Sequence, residues 1–347
     1  MNNVLYFNLT QNKKKLATSS HKTYINFCIS LAKYGRGRVS PNPEVGCAIV
    51  ADDRIIGHSY HKHFGGPHAE INALLSVKEK DKTLLPKSTI YISLEPCNHW
   101  GKTGPCTQAI LDSGIPHVVF GCYDPNPLMS GKSVEFLQSQ GIKVTGPVNE
   151  TECLQSCKPF VVNQQDKRPY VILKWAESMD GFVSAKGQRT KISNIFSDIL
   201  VHRWRSEVDA IAVGRNTFFT DLPELTTRLV PGKNPKPIVF SNHPEDRNML
   251  NDAGKSNFSL SIDFSQGKIV NILQLLQNIY AEGLGILLVE GGPKTIQTFI
   301  NSQLWDEARV IRSPLLLHTG VAAPTLKGKL SNKIKLSGDE INIIRPI

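Results

Sequence analysis

LEPCNHWGKTGPC, residues 94–106, packs two cysteines, a histidine, a lysine and two glycines into thirteen positions. A disulfide loop, a structural zinc knuckle and a catalytic zinc site are all compatible with that mixture. The stretch leaves an apolar run, TIYISL (89–94), and enters a segment opened by Pro105-Cys106. It therefore reads as the connection from a buried strand to a helix, with Pro suited to the first helical turn and Gly114 to the stop.

Working outward, the first half alternates strand and helix. Tyr24 to Tyr34 places Tyr24, Phe27, Cys28, Leu31 and Ala32 on one helical face, closed by Gly35. VGCAIV (45–50) and RIIGHSY (54–60) flank Asp52-Asp53 as two strands and a tight turn. A helix opens near His68, and HVVFG (117–121), a helix at 132–140 and a strand at 142–145 complete the unit. That order predicts an α/β sandwich with helices on both faces. After a polar linker, Asn163 to Lys167, a second unit offers strands at 170–176, 209–214, 237–240, 285–290 and 308–313. Helices are expected at roughly 194–206, 268–282 and 293–303, again in an alternating, doubly wound α/β arrangement. The two domains are drawn as 20–162 and 168–347.

With 347 residues, two cores are the natural expectation, and 40% apolar residues place the chain among globular proteins. The net charge of +10 suits nucleic acid or a phosphorylated small molecule equally. Its basic residues are scattered, apart from Lys13-Lys14-Lys15 in a start read as a frayed tail. No apolar run reaches the roughly 20 residues of a membrane span, and there is no signal core, so a cytoplasmic location is expected. Seven cysteines, an odd number spread over a large chain, argue against a disulfide framework. Cys28 and Cys47, among apolar neighbours, read as small core fillers, and Cys153-x3-Cys157 as a helical face.

The chemistry lies in pairing the opening stretch with PHAE (67–70). His68 and Glu70 fall in the first turn of one helix, Cys106 in the first turn of another, and Cys97 in the loop after a strand. One imidazole and two thiolates make three zinc ligands, with the fourth position open to water. Zinc brings the pKa of that water towards neutrality, and Glu70 is spaced to take its proton and pass it to a leaving amine. H-x-E followed by P-C and a second Cys is the zinc nucleobase-deaminase pattern. A closed four-ligand site would need His99, or one of His58, His61 and His63, and would leave Glu70 idle. In the second half, LLVEGGPKT (287–295) and AVGRNT (212–217) each run from a strand into glycine and then polar residues. Such glycines let backbone approach a phosphate at a helix N-terminus, although many strand-to-helix junctions need them for steric reasons alone.

Over nearly its whole length the chain resembles the bifunctional riboflavin-biosynthesis deaminase–reductases, the bacterial RibD family. The shared pieces are PNPEVG (41–46), HAE (68–70), the long insert LEPCNHWGKTGPC, and DPNP (124–127) in the first half. LKWAESMDG (173–181), VGRNT (213–217), DLPELTTR (221–228) and VEGG (289–292) match in the second. The resemblance implies a cytidine-deaminase-like α/β/α sandwich followed by a dihydrofolate-reductase-like α/β domain that uses NADPH. It implies that His68, Cys97 and Cys106 hold Zn2+ and that Glu70 shuttles protons. Asn42, His61, His99, Lys102, Asp124 and Asn126 would line the deaminase pocket. Lys174, Asp221, Arg228 and Glu290 would meet substrate in the reductase, with Thr217, Gly291 and Gly292 on the NADPH side.

The residue types suit those roles. Asn and Asp can pair with an aminopyrimidinone edge, and His, Lys and Arg with a 5-phosphate. The bland readings are turn chemistry beside proline for Asn42 and Asp124, and solvated surface for His61, Lys102, Lys174 and Arg228. Three departures from the family pattern stand out: Gly104 for Pro, Lys191-Ile192-Ser193 for Trp-Ile-Thr, and Leu222 for Asn or Asp. The expected partner is a small phosphorylated pyrimidine, with neither nucleic acid nor membrane, and the chain is expected to form a homo-oligomer. The rival readings are a nucleic-acid-editing zinc deaminase and a non-catalytic module with structural zinc.

Overall fold

Asp52 and Asp53 both adopt left-handed backbone, φ 49° and 56°, as a two-residue hairpin turn requires. They join β1 (Gly46–Ala51) to β2 (Arg54–Tyr60) in antiparallel register. The computed structural model describes residues 20–100, 104–185, 190–243, 245–252, 259–261 and 269–347. The Lys13–Lys15 tail and Lys102 lie outside them.

The chain divides into two units, Met1–Gln165 and Asp166–Ile347. In the first, β1 and β2 join β3 (Thr89–Ile92), β4 (His117–Phe120) and β5 (Lys143–Thr145) in a sheet of order β2-β1-β3-β4-β5. The β3-β4 and β4-β5 pairings are parallel, β1-β2 and β1-β3 antiparallel. Every residue of β1 is buried, as a strand covered on both faces must be. The helix α1 (20–32) presses so closely on one face that a Cβ on Gly46 would stand 2.0 Å from the Cys28 carbonyl oxygen. Gly57, paired with Ile49 and so on the opposite face, similarly meets Ala73 of α2 (Ala69–Leu75). These two close approaches make the sandwich. Ile25, Cys28, Leu31 and Ala32 form the buried face of α1, and Cys28 and Cys47 are core fillers as expected. α3 (Cys106–Asp112) and α4 (Lys132–Ser139) follow the expected order.

α5 (Glu150–Ser156) carries Cys153 into this core, where Cys157 is also buried, and both are free thiols. The expected linker is corrected by α6 (Lys158–Asp166), which incorporates most of it. Asn163 is 2% exposed, so the polar stretch is a helix end anchored in packed structure, stopped by Lys167 at φ 54°.

In the second unit β6 (Tyr170–Glu177), β8 (Ala210–Gly214), β9 (Lys236–Phe240), β10 (Ser259–Ser261), β11 (Ile286–Val289) and β12 (Glu307–Arg312) run parallel. The sheet order is β10-β9-β8-β11-β6-β12-β15-β14. Its last two strands, β14 (Lys329–Leu336) and β15 (Asp339–Arg345), are an antiparallel hairpin absent from the sequence reading. Their turn, Ser337-Gly338, has φ 50° and 95°, but a bulge between Leu330 and Asn332 interrupts the alternation that would have signalled them. A short pair, β7 (Phe182–Ser184) with β13 (Val321–Ala322), stands apart. α7 (Ile195–Ser206) is capped by Asn194, whose side chain accepts from Phe196 and Ser197 N–H. α10 (Ile269–Ala281) and α11 (Pro293–Ser302) match the expected helices, and Leu275, Leu276, Ile296 and Phe299 pack into the core.

α8 (Arg215–Asp221), also unforeseen, ends at Leu222 in left-handed backbone, φ 42° and ψ 54°. A branched-chain side chain pays about 1–2 kcal/mol there, whereas Asn tolerates it. Leu222 is half exposed, so its packing offsets little of this. Leu222→Asn should therefore raise unfolding stability by about 1 kcal/mol, read from urea melts of both chains.

Candidate active sites

Two strand-to-helix junctions build the first site. His68 is the N-cap of α2, and Glu70, in its first turn, is 3% exposed. Cys106 opens α3 behind Pro105, and Cys97 lies in the loop after β3, its Sγ accepting from Cys106 N–H at 3.3 Å. His68 Nδ1 stands 3.4 Å from Cys97 Sγ and 3.3 Å from Cys106 Sγ. The three ligand atoms lie within 4.8 Å of one another. Tetrahedral zinc with ordinary Zn–S and Zn–N bonds separates an S and an N ligand by about 3.5 Å, so the three donors fit that metal as they stand. No fourth His, Cys, Asp or Glu joins them among the described residues, which removes the closed-site reading. His58 packs against Phe27, and His63 meets the Phe64 carbonyl.

The shifts at this site follow from the close packing of the two thiols, the imidazole and a buried carboxyl. A hydrogen bond from Cys106, with another from His68, holds the Cys97 thiol down at about 4. Burial pushes the Glu70 carboxyl above its usual range, and the Cys97 thiolate beside it acts in the same direction. A carboxyl raised in this direction is a better proton acceptor than an ordinary exposed one.

A cavity of about 330 Å³ opens beside these groups, lined by Asn42, His61, His99, Asp124 and Asn126 together with His68, Glu70 and Cys97. His61 is buried, so the surface reading is corrected. Its Nδ1–H donates to the Pro67 carbonyl at 3.0 Å, leaving Nε2 to accept from Asn42 Nδ2 at 3.2 Å. That chain fixes the Asn42 amide at the cavity wall. Asp124 and Asn126 do make the turn chemistry, Asp124 accepting from Asn126 N–H at 2.8 Å and Asn126 from Leu128 N–H at 3.1 Å. They line the cavity all the same, so structural and pocket roles coincide. His99 is exposed at the rim.

One residue here escaped the sequence reading. Glu95, buried, accepts from Asp124 N–H at 3.1 Å, Gly131 N–H at 3.0 Å and the Ser133 hydroxyl at 2.5 Å. It ties the 124–131 loop to the cysteine loop. Its position inside LEPC was visible, but its partners, 29 to 38 residues away, were not.

The second site lies at the carboxyl ends of β6, β8 and β11, where α/β sheets hold ligands. A larger cavity, about 1400 Å³, is lined by Lys174, Thr217, Asp221, Arg228, Glu290, Gly291 and Gly292. β8 and β11 are neighbours, so their glycine junctions into α8 and α11 stand side by side. A Cβ on Gly214 would stand 2.2 Å from Thr295 Oγ1, and one on Gly292 2.7 Å from Thr217 Oγ1. The steric reading of these glycines therefore holds, and the same bareness leaves backbone open to a phosphate at the start of α11. Glu290 is paired on both sides: Arg205 grips it with two 2.9 Å hydrogen bonds, and Lys174 Nζ lies 3.5 Å away. Burial alone would raise this carboxyl, but Lys174 and Arg205 outweigh it and hold Glu290 at about 2. Lys174, 14% exposed, is thus no solvated edge lysine. Arg228 is exposed, donating to Thr226 Oγ1 at 3.2 Å. Lys191 and Ser193, the departures from the family pattern, both bond Asp198 at the cavity wall.

Comparison with known proteins matches residues 18–122 to the cytidine and deoxycytidylate deaminase zinc-binding region, and 169–342 to the RibD C-terminal domain. The riboflavin biosynthesis protein RibD of Aquifex aeolicus is 36% identical over 320 residues, spanning 87% of this chain and 89% of that one. Its Escherichia coli counterpart is 31% identical over 359 residues, spanning 93% and 96%. Among solved structures, the Thermotoga maritima diaminohydroxyphosphoribosylaminopyrimidine deaminase/5-amino-6-(5-phosphoribosylamino)uracil reductase superposes with TM-score 0.83 at 31% identity, covering 95% of this chain and all of that one. Acinetobacter baumannii RibD superposes with TM-score 0.82 at 27% identity over the same shares. The two-domain α/β architecture expected from the sequence is borne out.

Proposed function

The chain belongs to the RibD family of bifunctional riboflavin-biosynthesis enzymes, and from that premise we infer that it deaminates 2,5-diamino-6-ribosylamino-4(3H)-pyrimidinone 5′-phosphate and then reduces the ribosyl group of the product to ribityl. The observation that carries the reading is the open His68-Cys97-Cys106 triad with a buried carboxyl, Glu70, at the wall of the same cavity. The deaminase domain is taken as 20–162 and the reductase as 168–347.

In the deaminase, zinc when bound supplies a water acidic enough to serve as nucleophile at neutral pH. His68, Cys97 and Cys106 would hold the ion. Glu70 accepts the proton of that water on a carboxylate oxygen and delivers it to the departing amino group. Asn42, locked by His61, and Asp124, its carboxylate held by Asn126 N–H and its backbone by Glu95, offer fixed polar groups to the pyrimidinone edge. His99 and Lys102 are assigned to the phosphorylated end. In the reductase, NADPH when bound supplies the hydride. Lys174, charged beside Glu290, presents N–H donors to the sugar oxygen that gains charge. Asp221 contacts the sugar, Arg228 forks the 5-phosphate, and Thr217, Gly291 and Gly292 border the dinucleotide.

The nucleic-acid alternative is not favoured, because the chain matches riboflavin-biosynthesis relatives over 87% of its length and both halves match the corresponding domain models. Among the described residues no helix is long and apolar enough to cross a membrane; the cytoplasmic location is proposed from the biosynthetic family to which the chain belongs. An exposed edge strand, β14, bearing Leu330 and Ile334 at its surface, supports the homo-oligomer, which sedimentation would test.

A chelator tests the division of labour. Stripping the metal should lower ammonia release from the diaminopyrimidinone phosphate at least about 100-fold, while NADPH oxidation with the deaminated substrate continues unchanged. Equal loss of both activities, or of neither, would contradict it.

A further inference from the structure

Residues 222–228 have no regular secondary structure, yet they carry Arg228 to the wall of the reductase cavity. Something other than a ladder must set their position. α7 supplies it. His202 and Arg205, three apart and hence on one helical face, both reach the segment. His202 Nδ1 accepts from the backbone N–H of Arg228 at 3.0 Å. Arg205 Nη1 donates to the Thr226 carbonyl at 3.2 Å while its other two nitrogens hold Glu290.

We propose that His202 and Arg205 form a clamp that positions the Arg228 loop against Glu290 and so sets the reductase's affinity for its phosphorylated substrate. The clamp rests on the reading of Arg228 as the phosphate fork. His202 acts only as an acceptor through Nδ1, which requires the neutral ring with its proton on Nε2. Burial, together with the guanidiniums of Arg205 and Arg228, keeps the ring below its usual pKa and so in that form. Arg205 couples two parts of the site through one rigid guanidinium, bonding at once the loop that bears Arg228 and the carboxylate that pairs with Lys174. Both side chains also border the cavity, and it is His202, bonding the loop backbone alone, that acts purely as a positioning residue here. No short motif announces either one, because their partners are backbone atoms and a carboxylate 85 positions away.

Two readouts on the full-length chain test the clamp. The first is amide hydrogen exchange at Arg228, which needs no activity. Its N–H should be protected in the intact chain, exchange roughly 10-fold faster in His202→Leu, and recover in His202→Asn, whose side-chain oxygen replaces Nδ1. The second is steady-state reduction of the deaminated substrate. His202→Leu should raise its KM roughly 3- to 10-fold with the KM for NADPH unchanged, and His202→Asn should restore it. In an Arg228→Ala background the same substitution should change KM no further. Unaltered exchange at Arg228 in His202→Leu, or His202→Asn behaving as His202→Leu does, overturns the clamp. Equal rises in both KM values overturn it too, since they would report general loosening. An intact chain that fails to reduce the deaminated substrate refutes the functional reading instead, and the exchange result still decides the clamp.

Discussion

Glu70→Gln should release ammonia from the diaminopyrimidinone phosphate about 10³-fold more slowly than the intact chain, with its zinc content unchanged. The expectation follows from geometry and burial. Glu70 is 3% exposed, its carboxyl is pushed upward by that burial, and it lines the cavity with His68 and Cys97. It does not belong to the His68-Cys97-Cys106 donor group. Gln keeps the shape and removes the proton shuttle, so metal should stay while turnover falls. Because an uncharged amide is no costlier to bury than a desolvated carboxylate, folding should not suffer. Reduction of the deaminated substrate should proceed at its normal rate. Loss of zinc alongside activity would make Glu70 a structural residue, and retained deamination would remove it from the mechanism.

Glu290→Gln should have the largest effect on the second unit. The carboxylate is buried between Arg205 and Lys174. Removing its charge strands two cations in a site that is 13% and 14% exposed, which costs about 3–5 kcal/mol of stability. Displacement of Lys174 should lower reductase turnover by roughly 10²-fold. The stability cost also depends on pH with a definite sign. The folded-state pKa of Glu290, about 2, lies below its ordinary 4.5, so its contribution is complete above about 4.5 and is lost as pH falls towards 2. The gap between intact and variant chains in urea melts should therefore narrow across that window. A gap constant from neutrality to acid would mean that Glu290 is not held as a charged partner.

The legibility of these two sites in the sequence differs for physical reasons. The zinc donors sit in two short segments, and the metal dictates their types, so HAE and the paired cysteines could be read directly. The parallel strands were legible because burial on both faces writes continuous apolar runs such as GILLVE (285–290). The β14–β15 hairpin, with one strand exposed along most of its length, writes only a weak pattern. α6 hid because a polar helix end looks like a linker until Asn163 is seen buried. The supporting residues were the least legible. Glu95, His202 and Arg205 hold backbone groups and side chains brought together only by folding, and no spacing along the chain encodes that.

Coupled deamination and reduction can be counted as ammonia and NADPH in one cuvette, starting from the diaminopyrimidinone phosphate and the intact chain. If one chain performs both steps in this order, one NADPH should be oxidised for each ammonia released, with ammonia appearing first. Oxidation of NADPH without ammonia, or ammonia with no oxidation to follow, would contradict it.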